Sequence, residues 1–213
     1  MAKQNFKGVI ALMTVKGGAG KTTLSACLAA ELQRQGKTIT LVDADPQQSL
    51  TAWHQNGEGL ASIPLISDAD ESVATQAKQA SKDSLVIVDT AGFANRATIE
   101  VANIADILLI PCRASGIDAR QALQTISLCM AINKERRNKA KIKVVMTAVN
   151  RSAIVSHIRN EMTAAGAEVM GCEIAQRTSY AEAELAGSAP CYMGKAAQKA
   201  ADEIQALAAE LMR

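Results

Sequence analysis

Aromatic side chains are nearly missing from this sequence: one Trp, two Tyr and two Phe among 213 residues. Hydrophobic content is nonetheless 48%, so the chain is globular and its core has to be aliphatic, packed from Ala, Ile, Leu, Val and Met. Platforms that hold single-stranded nucleic acid stack bases on aromatic faces, and no basic stretch here is interleaved with aromatics. Histidine is scarce as well; His54 and His157 are too few and too isolated for a metal site. The five cysteines, Cys27, Cys112, Cys129, Cys172 and Cys191, contain no C-x-x-C pair. Most sit inside apolar runs, so they read as buried free thiols of a reducing compartment, not as a disulfide or metal framework. The apolar runs fall well short of the ~20 residues that cross a bilayer. The first residues, Met1-Ala2-Lys3-Gln4-Asn5, carry no signal-peptide pattern, and a soluble, cytoplasmic protein is expected. Net charge of either sign is small: 23 Lys and Arg against 21 Asp and Glu give +2. Affinity for nucleic acid would have to come from a local patch.

What is present is an alternation of short apolar runs with longer helical patterns. That alternation predicts a mostly parallel sheet with helices on both faces, a doubly wound α/β fold. The expected strands are 8–15, 38–43, 63–67, 84–89, 106–111, 143–149 and 168–174. The expected helices are 21–35, 70–81, 95–104, 118–137, 153–165, 179–187 and 194–212. Gly36 and Gly166 are expected to close the helices before them. No repeat, low-complexity tract or long linker interrupts the pattern, so residues 1–213 read as one domain. A ligand of such a fold sits at the carboxyl ends of the strands.

The stretch after the first strand is Val15-Lys16-Gly17-Gly18-Ala19-Gly20-Lys21-Thr22-Thr23. Strand, glycine turn and helix together make a phosphate cradle, because bare backbone can aim several N–H groups at one anion beside the positive end of a helix. Lys21 is placed for the β- and γ-phosphates, the Thr22 hydroxyl for Mg2+, and Thr23 for the α-phosphate. The usual pattern puts a glycine where Val15 stands, and a second lysine, Lys16, follows it. The second strand ends Asp43-Ala44-Asp45-Pro46-Gln47-Gln48-Ser49, with two carboxylates on one side of a strand. The fourth ends Leu85-Val86-Ile87-Val88-Asp89-Thr90-Ala91-Gly92, an aliphatic run that holds Asp89 rigidly for Mg2+. Gly92 offers a backbone N–H toward a γ-phosphate.

The extra lysine resembles the deviant Walker A motif of the ParA/MinD family of ATPases. The D-A-D-P-Q-Q-S-L-T-x-W stretch and the strand ending in Asp89 extend the resemblance along the chain, which is most similar to the small ParF-type plasmid partition proteins. The resemblance implies a slow, partner-stimulated ATPase using ATP and Mg2+. It implies that Lys16 reaches across a dimer interface to the partner subunit's phosphates, with Gly17, Gly18, Ala19, Gly20, Lys21, Thr22 and Thr23 holding the nucleotide. It assigns the attacking water to Asp45, with Lys16 and Lys21 as the other catalytic groups. Asp43 supports Mg2+ and the loop, beside Thr22 and Asp89. Asn150 resembles the adenine-reading position, and Arg177 falls in a segment that resembles a loop closing over the base; loop capping is the alternative for both. The implied partners are a second copy of the chain on ATP binding, nonspecific double-stranded DNA of the nucleoid, and a ParB-like or cargo-adaptor protein. No membrane is expected, because the last helix lacks the bulky apolar face of a surface-bound one.

Basic residues concentrate in Lys134-Glu135-Arg136-Arg137-Asn138-Lys139-Ala140-Lys141-Ile142-Lys143. Two readings stand: cations that complement a helix carboxyl end, or DNA phosphate contacts, to which Arg113, Arg120, Arg151, Arg159, Lys195 and Lys199 would add. The cargo also stays open among plasmid DNA, a chemoreceptor cluster, a carboxysome and a relaxosome. A MinD-like membrane-cycling ATPase is the further alternative.

Overall fold

The computed structural model describes residues 7–93, 95–150 and 154–213. Among them seven strands, all in parallel register, form one sheet in the order β3-β2-β4-β1-β5-β6-β7. They are β1 (Gly8–Leu12), β2 (Ile39–Ala44), β3 (Leu65–Ser67), β4 (Leu85–Thr90), β5 (Ile107–Arg113), β6 (Lys141–Val149) and β7 (Glu168–Ala175). Parallel neighbours need crossover connections, and each connection carries a helix. These are α1 (Lys21–Arg34), α2 (Ser49–Gln55), α3 (Ser72–Ala80), α4 (Arg96–Ile104), α5 (Gly116–Glu135) and α6 (Ile154–Ala164). After β7 come α7 (Thr178–Leu185) and α8 (Gln198–Leu211).

Side chains of a strand alternate between faces, and the core divides accordingly. Val9, Ala11 and Met13 of the β1 segment pack with Val73 of α3, Val101 of α4 and Ile126 of α5. Ile10 and Leu12 pack with Leu24 and Leu28 of α1, Trp53 of α2 and Ile204 and Leu207 of α8. β1, β2 and β4 are buried along their whole length, which is why they read as unbroken apolar runs rather than alternating ones. The core of aliphatic side chains is the one the low aromatic content requires. Cys27, Cys112 and Cys129 are buried and Cys172 and Cys191 half-buried, all as free thiols.

Every expected strand is found, with ends shifted by a few residues. β1 stops at Leu12, although Met13 still donates its N–H to the Leu109 carbonyl, because the chain must turn into the phosphate loop. Gly36 and Gly166 close α1 and α6 as expected: Lys37 N–H reaches back to Leu32 O and Ala167 N–H to Met162 O. α5 begins at Gly116, earlier than periodicity suggested, because Ser115 caps it by accepting from Asp118 N–H at 3.1 Å. The expected start of α6 at 153 lies outside the described residues. The last helix is preceded by a 3-10 turn, Gly194–Ala197, and its apolar positions Ile204, Leu207, Ala208 and Leu211 are buried against the sheet and α1. That face is therefore spent on the core. Among the described residues no helix is long and apolar enough to cross a membrane.

α2 was not foreseen. It is a seven-residue helix containing Thr, Trp and His, poor helix formers, and tertiary contacts hold it. Asp43 accepts from both the backbone N–H and the hydroxyl of Thr51 at 2.8 Å, and Trp53 is 3% exposed.

β1 lies between β4 and β5, so the chain winds outward from it in both directions and leaves a crevice at its carboxyl end.

Candidate functional site

The loop from Thr14 to Gly20 fills the mouth of that crevice. Gly18 and Gly20 take φ of +89° and +95°, a region closed to most side chains, and Gly20 passes directly into α1. Three threonines from distant elements hold the loop. Thr125 of α5 accepts from Val15 N–H at 3.2 Å, Thr147 of β6 donates to Ala19 O at 3.2 Å, and Thr90 of β4 donates to Leu12 O at 2.7 Å. The curve of the backbone is thus fixed in advance of any ligand.

The two lysines of the loop have opposite environments. Lys21 is 7% exposed and donates to Thr14 Oγ1 at 3.0 Å, while Thr14 donates to Lys16 O at 2.7 Å. Burial pulls its pKa down, and the charges of Asp89 and Asp45 oppose that. Lys16 is exposed, and its ammonium makes no hydrogen bond or ion pair among the described residues.

Asp89 and Asp43 are register partners on β4 and β2, each 1% exposed. Thr22 donates to Asp89 Oδ2 at 2.6 Å, while Asp89 Oδ1 is buried without a partner among the described residues. Burial pushes the Asp89 carboxyl up to about 7. The Thr22 hydrogen bond and Lys21 work against the shift, and Asp43 and Asp45 add to it. An orphaned carboxylate oxygen beside a threonine hydroxyl suits Mg2+. That ion keeps most of its waters and takes only one or two protein carboxylates. Thr22 and Asp89 are therefore the pair that fits it. Asp43 is otherwise engaged: besides Thr51, it accepts from Asp45 N–H at 3.2 Å. Those bonds make it the anchor of the segment that carries Asp45. Asp45 itself is half-buried, holds Gln47 N–H at 3.0 Å and lines the cleft over the phosphate loop. Gly92 lies so close to this loop that a Cβ there would stand 2.8 Å from Gly17 N and 3.0 Å from Gly17 Cα.

Two clefts meet over Gly18, Gly20 and Thr23. One, of about 1190 Å³, contains Lys21, Thr22, Asp45, Gly92 and Glu184. The other, of about 530 Å³, is lined by Arg113, Thr147, Ala148, Gln176, Arg177 and Tyr180, among others. The first suits phosphates and the second, more apolar, a base and sugar. Arg177 is at that second wall, although its guanidinium is bound to Glu203 Oε1 of α8 at 2.9 and 2.5 Å. Glu203 also accepts from Tyr180 at 2.9 Å and from Ala175 N–H at 3.3 Å. Asn150 is exposed at the end of β6, 3.5 Å from Gln176 Oε1, and does not line either cleft. Thr23 and Ala19 line the base side, and Gly17 the phosphate side.

The basic run divides. Arg136 donates to the Ala102 and Ala105 carbonyls at 2.7 Å, capping α4. Lys139 donates to the Asn133 and Lys134 carbonyls at the end of α5, and buried Lys143 pairs with Glu168 at 2.6 Å. Arg159 is tied to Met170 O and Glu173. These cations complement helix ends and the sheet, at the opposite end of β6 from the phosphate loop. Lys134, Arg137, Lys141, Arg113, Arg120, Lys195 and Lys199 are exposed. Arg151 lies outside the described residues.

Sequence reasoning overlooked Thr125, Thr147, Thr90 and Glu203, since nothing local marks a residue that supports a segment distant in the sequence. Thr51 and Trp53 had a signal, being part of the D-A-D-P-Q-Q-S-L-T-x-W stretch.

Residues 10–191 match the CobQ/CobB/MinD/ParA nucleotide binding domain. The Protein ParA of Rhizobium radiobacter is 35% identical over 178 residues, 81% of this chain and 80% of that protein. The "Maintenance of carboxysome distribution protein A" of Halothiobacillus neapolitanus is 30% identical over 210 residues, 95% of both chains. An ATP complex of Cyanothece McdA superposes with a TM-score of 0.76 at 17% identity, covering 98% of this chain and 97% of that one. That likeness bears on the fold. With the phosphate loop, the buried Asp89 and the doubly wound parallel sheet in place, the chain belongs to the CobQ/CobB/MinD/ParA family and is an ATPase of its ParA/MinD branch.

Proposed function

We propose that this protein is a Mg-ATP-dependent dimerising ATPase that binds nucleoid DNA without sequence preference and moves or positions a cargo, plasmid DNA in the first instance. The observation that carries the reading is the division of labour between Lys21 and Lys16. One is buried in its own cleft; the other stands exposed next to Gly17 of the cleft wall, with its ammonium unengaged among the described residues. A cation so placed is available to the phosphates of a second copy.

Lys21 and the loop N–H groups would hold the phosphates, and Thr22 and Asp89 would hold Mg2+, with Asp43 fixing the segment beside them. Mg2+ supplies charge neutralisation for the β- and γ-oxygens. Asp45 orients the attacking water, Gly92 N–H senses the γ-phosphate, and Ala19, Gly20 and Thr23 line the path to the base. Arg177 walls the base side, and Asn150, outside the cleft but 3.5 Å from the Gln176 that lines it, acts on the base through that wall. A stabilising cation at the transferring group contributes ~10³–10⁵ in rate. A protomer that lacks its neighbour's Lys16 is therefore slow, and a ParB-like partner accelerates it by completing the dimer.

DNA binding follows from dimerisation. Two copies double the exposed bases that meet phosphates, and counterion release makes affinity steepen with their number. Arg113 and Arg120 are on the nucleotide side of the sheet. Arg136, Lys139 and Lys143 are left out of that set by their structural bonds. The similarity to a carboxysome distribution protein along 95% of both chains supports a second reading, the same cycle with a protein cargo.

Light scattering and DNA binding across a salt series, each with ATP, with ADP and without nucleotide, test the proposal. The expected result is a dimer and DNA binding with ATP alone, extended in lifetime by Asp45→Ala. A protomer that stays monomeric when saturated with ATP, in both forms, refutes it.

A further inference from the structure

The α7 helix borders both clefts. Arg177, at its N-cap, and Tyr180 wall the base side, and Glu184 reaches the phosphate side. Glu203 holds the first two from α8. At its other end α7 is sealed to α2. Trp53, the one tryptophan of the chain, donates its indole N–H to Ser188 O at 2.9 Å, and Asn56 donates to Leu185 O at 2.9 Å. The backbones on either side of these bonds touch. A Cβ on Gly57 would lie 2.5 Å from Ala186 O, one on Gly59 2.6 Å from Ser188 Cα, and one on Gly187 2.3 Å from Gly57 N. Contact that close leaves no slack for α2 and α7 to slide independently.

α2 is in turn tied to the water-activating segment. Asp43 binds Thr51, the third residue of α2, and Asp45 N–H, so one carboxylate ties Asp45 to the helix that carries Trp53. A connected path therefore runs from the base wall through α7, the Ser188 carbonyl, Trp53, the α2 backbone to Thr51, and Asp43 to Asp45.

We infer that Trp53 is a positioning residue that transmits occupancy of the base cleft to Asp45. The triphosphate's base fixes α7, α7 fixes α2 through Ser188, and α2 sets where Asp45 holds water. This rests on the catalytic reading of Asp45. The consequence is that base identity governs turnover as well as binding: a purine that engages the Arg177–Tyr180 wall raises kcat, whereas a smaller base leaves Asp45 loosely placed.

The experiment compares kcat and KM for ATP and UTP in the wild type, Trp53→Phe, Asn56→Ser and Asp45→Ala, in full-length protein. Trp53→Phe keeps a ring and removes the donor; Asn56→Ser acts on the exposed side of the same seam and cannot open the core. The wild type is expected to have a higher kcat for ATP than for UTP. In Trp53→Phe the kcat for ATP falls by about two- to tenfold, the scale of one lost hydrogen bond, while its KM changes less. UTP turnover falls less, so the ATP-to-UTP ratio of kcat moves toward unity; Asn56→Ser shifts it in the same sense. A purely structural role would lower the folded fraction and leave the ratio where it was. Equal kcat for the two nucleotides in the wild type, or a ratio kept in both seam variants, overturns the inference. Full activity in Asp45→Ala overturns the catalytic reading instead, whatever the seam variants do.

Discussion

Replacing Asp89 with Asn removes a charge that the nucleotide-free fold carries at a cost. The carboxyl is pushed from 3.8 up to about 7 by burial. A group with a raised folded-state pKa binds its proton more tightly in the native than in the unfolded chain. Between those two values the native state holds more protons, so stability falls as pH rises and then levels off above about 7. At about 1.4 kcal/mol per tenfold change, the whole gap is on the order of 4 kcal/mol. Roughly 2.5 kcal/mol of it lies between pH 5 and pH 8, since part is already lost by pH 5. An asparagine keeps an oxygen for the Thr22 hydroxyl but leaves an amide N–H where Oδ1 had no partner. That adds a penalty of about 1–3 kcal/mol, and the penalty does not depend on pH.

The pH slope is therefore the quantity to read, not the offset. Urea unfolding of nucleotide-free protein at pH 5 and pH 8 should show the wild type losing roughly 2.5 kcal/mol more than Asp89→Asn across that interval. Saturating Mg-ATP should flatten the wild-type slope, because the ionised carboxylate then faces a cation. Parallel pH profiles for wild type and variant would refute the argument that Asp89 is carried uncompensated in the empty site.

Lys21→Ala and Lys16→Gln should part company in a nucleotide titration. The first weakens ATP binding at least about a hundredfold, as expected when a charged hydrogen-bond donor to phosphate is lost. The second leaves it within about threefold and removes ~10³ or more from the partner-stimulated rate measured by phosphate release. Gly92→Ala forces a Cβ against Gly17 N at 2.8 Å. Overpacking of about 1–3 kcal/mol should weaken ATP binding by about five- to 150-fold, read by the same titration, with a smaller change in melting temperature. Arg136→Ala removes two bonds to the α4 carbonyls. It should cost about 1–3 kcal/mol in urea unfolding while the salt slope of ATP-dependent DNA binding stays unchanged.

The strands were legible because a sheet buried on both faces leaves continuous apolar runs, and the phosphate loop because its glycines are required by backbone geometry at fixed spacing. Local readings failed where a distant group decides the outcome. α2 has little helical propensity of its own, and a carboxylate eight residues before Thr51 and a carbonyl 135 residues from Trp53 hold it. The basic run was ambiguous for a related reason. Its composition suits DNA or helix ends equally, and only the positions of Ala102, Ala105 and Glu168 decide which of its cations are occupied. Arg177 illustrates the same limit at the site itself. The loop was identifiable, but the Glu203 that aims the guanidinium comes from α8, twenty-six residues on.

Charge bookkeeping inside the cleft explains why the nucleotide and its metal have to arrive as one ligand. Asp89 and Asp45 act on Lys21, and Asp43 and Asp45 act in turn on Asp89, so three carboxylates share one ammonium, and burial raises the strength of each interaction. A triphosphate alone would meet net repulsion there despite the loop N–H groups. A cation alone would find Asp89 Oδ1 and the Thr22 hydroxyl but few other ligands, because Asp43 is occupied by Thr51 and Asp45 N–H. Together the two would neutralise each other and the site: Asp89 and Thr22 would hold the metal, whose charge favours the ionised carboxylate, and Lys21 would face the phosphates. The same arithmetic makes loss of the γ-phosphate consequential. On the proposed reading it removes negative charge from beside Asp45, which lines the phosphate cleft on the segment leading into α2. Hydrolysis therefore alters the force on α2 directly, without needing a large motion of the loop that holds the diphosphate.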